Sequence, residues 1–438
     1  MGMKSSLAIG VIGIAVVAGA AYWFTQQPTA KKAAEAPLMT APGILFSWVQ
    51  MGNAVYVPGA SSDQKADVRV FANLDHKTLY TYDKDPAGAS ACKDECAKTW
   101  TPLAAPADAK AAGLWSVVTR DDGTKQWALK GKPVYSYASD KRMGDFKGDG
   151  EESGGWHVAF ANLGDGMALP DGISVTEVAE AGGQALVDSR GMLIYAFDGN
   201  PNQDRPSCGA NPCPGRFIPL SSGMIAAPVG DFTVVNRDDG VPQWAFQGRA
   251  LYTYEGDIDL GDANARDFDP RFQAAVVGKY FVPTGVAIRL DERRGGLLVD
   301  SEGKTLYARD RLFFNGTGGH YARGGARGLP LLGMEIGAAG CNDADCEKTW
   351  RPLKAPAEAQ PSGYWTLVSR SDGSRQWAYQ GYALYTYAGD KSPGDTNGND
   401  TFDFYVRDGE NMKVAESTKS GVRVLDMGMG QYWRLTAP

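Results

Sequence analysis

The stretch "RDDGTKQWALKGKPVYSY", Arg120 to Tyr137, decides the fold, because the chain repeats it as "RDDGVPQWAFQGRALYTY" from Arg237 and "RSDGSRQWAYQGYALYTY" from Arg370. Asp122-Gly123, Asp239-Gly240 and Asp372-Gly373 are hairpin-turn dipeptides, since glycine accepts the positive φ that such turns need. In the strand that follows, the two-residue period sets Trp127 and Leu129 on one face and Gln126, Ala128 and Lys130 on the other. Gly131 opens a second turn. Beyond it Tyr135 and Tyr137 share a face, as do Tyr252 with Tyr254 and Tyr385 with Tyr387. Each copy therefore predicts a three-stranded meander, and large aromatics hiding about 150–250 Å² apiece can stabilise a small module.

Further landmarks recur around this stretch. An aromatic doublet with a trailing acid comes first: "LYTYDKD" at Leu79, "IYAFDGN" at Ile194 and "LYARDRL" at Leu306. A cysteine pair follows, running into "WTPL" at Trp100, "FIPL" at Phe217 or "WRPL" at Trp350. The repeated stretch ends on the doublet and acid again, and an Asp/Gly loop follows: "GDFKGDG" at Gly144, "GDANARD" at Gly261 and "GDTNGND" at Gly394. Each module is thus a half-motif used twice around a cysteine loop.

A chain of 438 residues with 55 glycines, 24 prolines and 19 tyrosines, and almost no long apolar stretch of helical period, reads as short strands and tight turns. The fold class expected is mainly β: three tandem disulfide-pinned antiparallel β modules after one N-terminal transmembrane helix. Six half-motifs leave a six-bladed propeller-like arrangement as the alternative. The boundaries expected are an anchor over 1–25, a linker and lead-in strand over 26–67, and modules over 68–165, 166–283 and 284–410. A C-terminal tail of strands spans 411–438. Module 3 carries about 21 extra residues near 311–337, since its half-motif tyrosines, Tyr307 and Tyr385, lie farther apart than Tyr80 and Tyr135 or Tyr195 and Tyr252.

A net charge of −7 offers no basic surface for phosphates, which excludes nucleic-acid binding. The six cysteines fall into local pairs, Cys92–Cys96, Cys208–Cys213 and Cys341–Cys346, as disulfides of an oxidising compartment do. Only His76, His157 and His320 stand beside them, too few for a Cys/His metal site. The apolar run Leu7–Phe24 spans roughly 27 Å at the helical rise, close to a bilayer's hydrocarbon thickness. Ala18-Gly19-Ala20 would suit a signal peptidase, but Tyr22, Trp23 and Phe24 suit the interfacial belt of a retained span. A single-pass protein is expected, its N-terminus cytoplasmic and its body periplasmic. Ala15 and Gly19 form a small-residue stripe by which another helix can approach.

The doublets (Tyr80, Tyr82, Asp85; Tyr135, Tyr137, Asp140), the Cys-x3-Cys-x3-Trp-x-Pro-Leu run and the Arg-x-Asp-Gly-x-x-Gln-Trp hairpin resemble the bacterial family of secreted repeats and predicted lipoproteins named for its Yx(FWY)xxD motif. The resemblance covers most of residues 68–406 and implies an extracytoplasmic body without a settled activity. The chain departs from the pattern by lacking a lipid-bearing cysteine and by Phe217, Asn200 and Arg309 at motif positions.

Chemistry-bearing candidates are few. No nucleophile elbow, zinc-protease helix, P-loop or dinucleotide fingerprint occurs, so no catalytic residue and no cofactor is assigned. Asp395, Asn397 and Asn399 are spaced like the start of a calcium loop, with Asp403 beyond, but Asp400 stands where that loop needs glycine. The tyrosine doublets read as core. The insertion mixes Phe313, Phe314 and Tyr321 with Arg323 and Arg327 among glycines, the composition of an interface anchor. The function expected is a non-catalytic, membrane-anchored structural subunit. Its partners are other subunits of a membrane complex, respiratory or photosynthetic, and the lipid bilayer. A surface-displayed polysaccharide or small-ligand binder and an extracytoplasmic enzyme are the alternatives.

Overall fold

The computed structural model describes residues 35–52, 65–164, 166–198, 217–237, 240–267, 269, 271–291, 294–312, 341, 344–408, 411–419 and 430–438. All the strand ladders that build it are antiparallel. The meander forms as its turns dictate. In module 1, Trp115–Thr119 pairs with Lys125–Leu129, which pairs with Lys132–Tyr137. The second turn is a two-residue reversal with both residues left-handed: Lys130 (φ 49°) and Gly131 (φ 82°), matched by Gln247/Gly248 and Gln380/Gly381. That geometry suits the twist of the strands it joins.

The two halves of a module share one sheet. Leu79–Tyr82, from the first half, lies between Lys132–Tyr137 and Trp156–Val158, and Trp100–Pro102 also pairs with Lys132–Tyr137. Module 2 repeats the order with Phe232–Asn236, Pro242–Phe246, Arg249–Tyr254, Tyr195–Phe197 and Phe272–Ala274. Module 3 does so with Trp365–Ser369, Arg375–Tyr379, Tyr382–Tyr387 and Leu306–Leu312. Because half-motifs interleave rather than form separate blades, the architecture is modular and not a six-bladed propeller.

The closing strand of module 3 is Gly430–Leu435, in the stretch expected to be a C-terminal tail. The hairpin of Thr401–Asp408 with Asn411–Lys419 intervenes before it and pairs with its outer edge. Module 3 therefore runs past residue 410, because Trp433 supplies the buried ring that Trp156 supplies in module 1.

A hairpin precedes the first half-motif of each module: Leu45–Gly52 with Lys65–Ala72, Ser174–Val178 with Gly183–Val187, and Val286–Asp291 with Gly295–Asp300. Each leads into a turn held by one side chain. Asn73, Asp188 and Asp300 accept backbone N–H bonds from the residues two and four places on.

Residues 37–46, expected within linker and lead-in, contribute to the core. Met39, Ala41 and Ile44 are fully buried, and the backbone there bonds Lys279 of module 2, Leu114 of module 1 and Gly363 of module 3. They join Trp115, Trp127, Leu306, Trp365 and Trp377 in a core common to modules 1 and 3. Among the described residues no helix is long and apolar enough to cross a membrane. The run Leu7–Phe24, with Ala15 and Gly19, lies outside them, as do Cys208–Cys213, Phe313, Phe314, Tyr321, Arg323 and Arg327.

Candidate functional site

The doublet tyrosines face inward. Tyr80, Tyr195 and Tyr307 are fully buried, and each donates its hydroxyl to the acid of the opposite half-motif: Tyr80 to Asp140 (2.6 Å), Tyr195 to Asp257 (2.7 Å) and Tyr307 to Asp390 (2.7 Å). Module 1 keeps the reciprocal bond as well, from Tyr135 to Asp85 at 2.9 Å. The trailing acid of one half thus serves the tyrosine of the other, which explains why the motif comes in pairs. Burial raises the carboxyl of Asp140, raises that of Asp257 to about 6, and lifts the three tyrosine hydroxyls well above their ordinary range. Rings so enclosed offer neither a sugar platform nor a nucleophile.

Stacked rings fill the space beneath. Trp100 lies on Trp156 (3.7 Å between centroids), Phe217 on Phe272 (3.6 Å) and Trp350 on Trp433 (3.8 Å). The Asp/Gly loop is fitted to these rings. A Cβ on Gly148 would stand 2.5 Å from Trp100, and one on Gly398 2.9 Å from Trp350. Module 2 carries Ala265 there, and its smaller Phe217 leaves room for the methyl group.

The Arg and Gln of the repeated stretch tie the hairpin to the cysteine loop. Gln126, Gln243 and Gln376 are buried and donate to the carbonyls of Val134, Leu251 and Leu384. Arg120 bonds Gln126 Oε1 and the Cys92 carbonyl, and Arg370 bonds Gln376 Oε1 and the Cys341 carbonyl. The Cys92–Cys96 and Cys341–Cys346 disulfides close those loops. These roles escaped the reading of the sequence, although recurrence of Arg and Gln in all three copies was the available signal.

The acids read as calcium candidates are engaged by the loop. Asp395 Oδ2 accepts the N–H groups of Lys391 and Ser392, as Asp145 does from Lys141 and Arg142 and Asp262 from Ile258 and Asp259. Asn397 N–H donates to Asp390 Oδ1, and Asn399 Oδ1 accepts from Leu435 N–H. The side chain of Asp403 lies outside the described residues. Among the described residues no three His, Cys, Asp or Glu side chains gather as a metal would require.

The modules differ at the surface as well. Among the described residues, six of the nine exposed large apolar side chains belong to module 2: Ile218, Met224 (84%), Ile225 (98%), Val241, Ile258 (80%) and Leu260 (75%). Ile218 stands where modules 1 and 3 have Thr101 and Arg351, Ile225 where they have Asp108 and Glu358, and Ile258 where they have Lys141 and Lys391. An apolar residue at one exposed position is ordinary; in module 2 the exchange recurs at three positions that are polar or charged in the other two modules.

Against known proteins, a family described as a secreted repeat of unknown function matches at residues 63–104, 116–160, 233–270 and 366–405. The chain carries four of these secreted repeats. No curated protein and no solved structure matches it. Two of the secreted repeats are the halves of module 1, and the others are the second halves of modules 2 and 3. The unmatched halves hold Asn200 and Arg309, the departures from the motif. A secreted repeat with disulfides belongs to an extracytoplasmic body, as the cysteine pairs had required.

Proposed function

We propose that the chain is a non-catalytic, extracytoplasmic structural subunit, held at the membrane by Leu7–Phe24, that braces a multi-subunit membrane assembly through the surface of module 2. The observation that carries this reading is the apolar exchange at Ile218, Ile225 and Ile258, which the equivalent positions of modules 1 and 3 do not share. Inward-facing tyrosines and loop-bound acids weigh against a polysaccharide binder and against an enzyme assembled from the repeats. The partner is a protein subunit with a complementary apolar face.

The test is gentle detergent extraction of the chain, tagged at Pro438, from its native membrane, followed by native electrophoresis and mass spectrometry. Co-migration with a fixed set of membrane proteins is expected. The variant Ile225→Asp/Ile258→Lys, which installs the residues that module 1 carries at those positions, is expected to release them without lowering Tm. A wild-type chain that migrates alone, or a variant that stays bound, defeats the proposal.

A further inference from the structure

A cleft of about 630 Å³ runs between Phe272–Ala274 of module 2 and the hairpin strand Val286–Asp291. Its volume is in the range that holds a small organic ligand. One wall is apolar, with Val276, Val282, Val286 and Ile288. The polar groups in it are Arg249 and Asp198, Lys279 and Glu35, and Gln273.

Two of these charges are already committed, since Lys279 bonds Glu35 at 2.5 Å. Arg249 is not. It lies across the ladder from Asp198, one strand over, because Tyr252 pairs with Tyr195 and Leu251 with Ala196. Yet Arg249 forms no hydrogen bond or ion pair with any described residue, and its Nε is buried without a partner. Its counterpart in module 1, Lys132, sits in the open and bonds Asp83 at 3.4 Å. A shielded guanidinium donor left unbonded costs free energy, so its retention beside a cavity calls for an acceptor. Burial lowers the affinity of Arg249 for its proton, and the charge of Asp198, close enough to be felt but not bonded, works the other way.

A second donor lines the same cleft. In module 1 the Val158 N–H is capped by Asp149 Oδ1 (3.0 Å), and in module 3 the Leu435 N–H by Asn399 Oδ1 (3.2 Å). Module 2 has Arg266 at that place in the sequence, and among the described residues no side chain caps the N–H of Ala274, the residue equivalent to Val158. Among the described residues, the edge strand thus lacks the cap that its two relatives have.

We infer that this cleft binds a small carboxylic acid with an aliphatic or aromatic body. The carboxylate takes the two-pronged bond of the Arg249 guanidinium, a fork that matches its geometry, and the body packs on Val276, Val282, Val286 and Ile288. The site does not depend on the apolar surface of module 2 and stands whether or not the chain is a subunit.

The experiment is calorimetric titration of the full chain in detergent with hexanoate and with 3-phenylpropionate, and with hexanol as the uncharged control. Saturable binding of at least one acid is expected, weakened tenfold or more in Arg249→Gln, with hexanol bound weakly or not at all. Thermal melts establish that the variant is folded, and Arg249→Lys, which keeps the charge but not the fork, is expected to bind between the two. Absence of saturable binding of both acids by the wild type at millimolar concentration overturns the inference. So does acid binding that survives Arg249→Gln unchanged, or hexanol binding equal to that of hexanoate.

Discussion

Asp257 is where burial and ionisation conflict most openly. Desolvation raises its carboxyl from 3.8 to about 6, against the hydrogen bonds from Tyr195 and the Asn264 N–H that favour the charged form. The folded state thus holds this proton more tightly than the unfolded chain does. The contribution to stability is complete below pH 4 and is lost as pH rises toward 6. The melting temperature of the wild type relative to Asp257→Asn is expected to fall across pH 4 to 6 and to level above it. A difference that stays flat across that window would show that the buried carboxyl is not shifted. At this scale the sequence was half legible. The parity of the tyrosines announced their inward orientation, but not that each reaches the acid of the other half-motif, because hydrogen bonds across 60 residues leave no local pattern.

Among the elements, turns were readable where glycine and aspartate mark them. The Asp122-Gly123 reversal was legible because an Asp-Gly pair has few other uses. The Lys130-Gly131 reversal was only half so, since lysine at φ 49° contradicts its own preference. Lys130 is exposed, so its backbone conformation alone sets the effect of a substitution. Lys130→Asn is expected to stabilise the protein by about 0.5–1 kcal/mol, and Lys130→Val to destabilise it by about 1–2 kcal/mol, in urea unfolding. An unchanged midpoint in both would refute the strain. The closing strand of module 3 was missed for a different reason. Trp156 follows Asp140 by 16 residues, whereas Trp433 follows Asp390 by 43, with a whole hairpin between them. Regular spacing is what makes a repeat visible, and the insertion removed it.

The modules cohere as one molecule through a contact that no repeat predicts. Arg69, in the hairpin that leads into the first half-motif of module 1, forms an ion pair with Glu177 and donates to the Tyr280 hydroxyl at 2.5 Å; both partners belong to module 2. Tyr364 of module 3 donates to the same Glu177 at 3.2 Å. The guanidinium stands 5.0 to 5.6 Å from the rings of Phe46, Trp48, Tyr280 and Tyr364. "DVRVFA" looks like any strand, and its meaning depends on residues more than a hundred places away, so sequence alone could not disclose it. Removing one partner of a buried pair leaves the other charge uncompensated, which is worse than removing both. Arg69→Met is therefore expected to lower unfolding free energy by about 3–5 kcal/mol. Arg69→Met/Glu177→Gln should recover part of that loss. Differential scanning calorimetry is the test, because an inter-module clasp also predicts that the single variant splits one transition into two as module 2 separates from the core shared by modules 1 and 3. A single sharp transition with an unchanged midpoint would mean that the lead-in segment, bonded to all three modules at Lys279, Leu114 and Gly363, holds them together without the clasp.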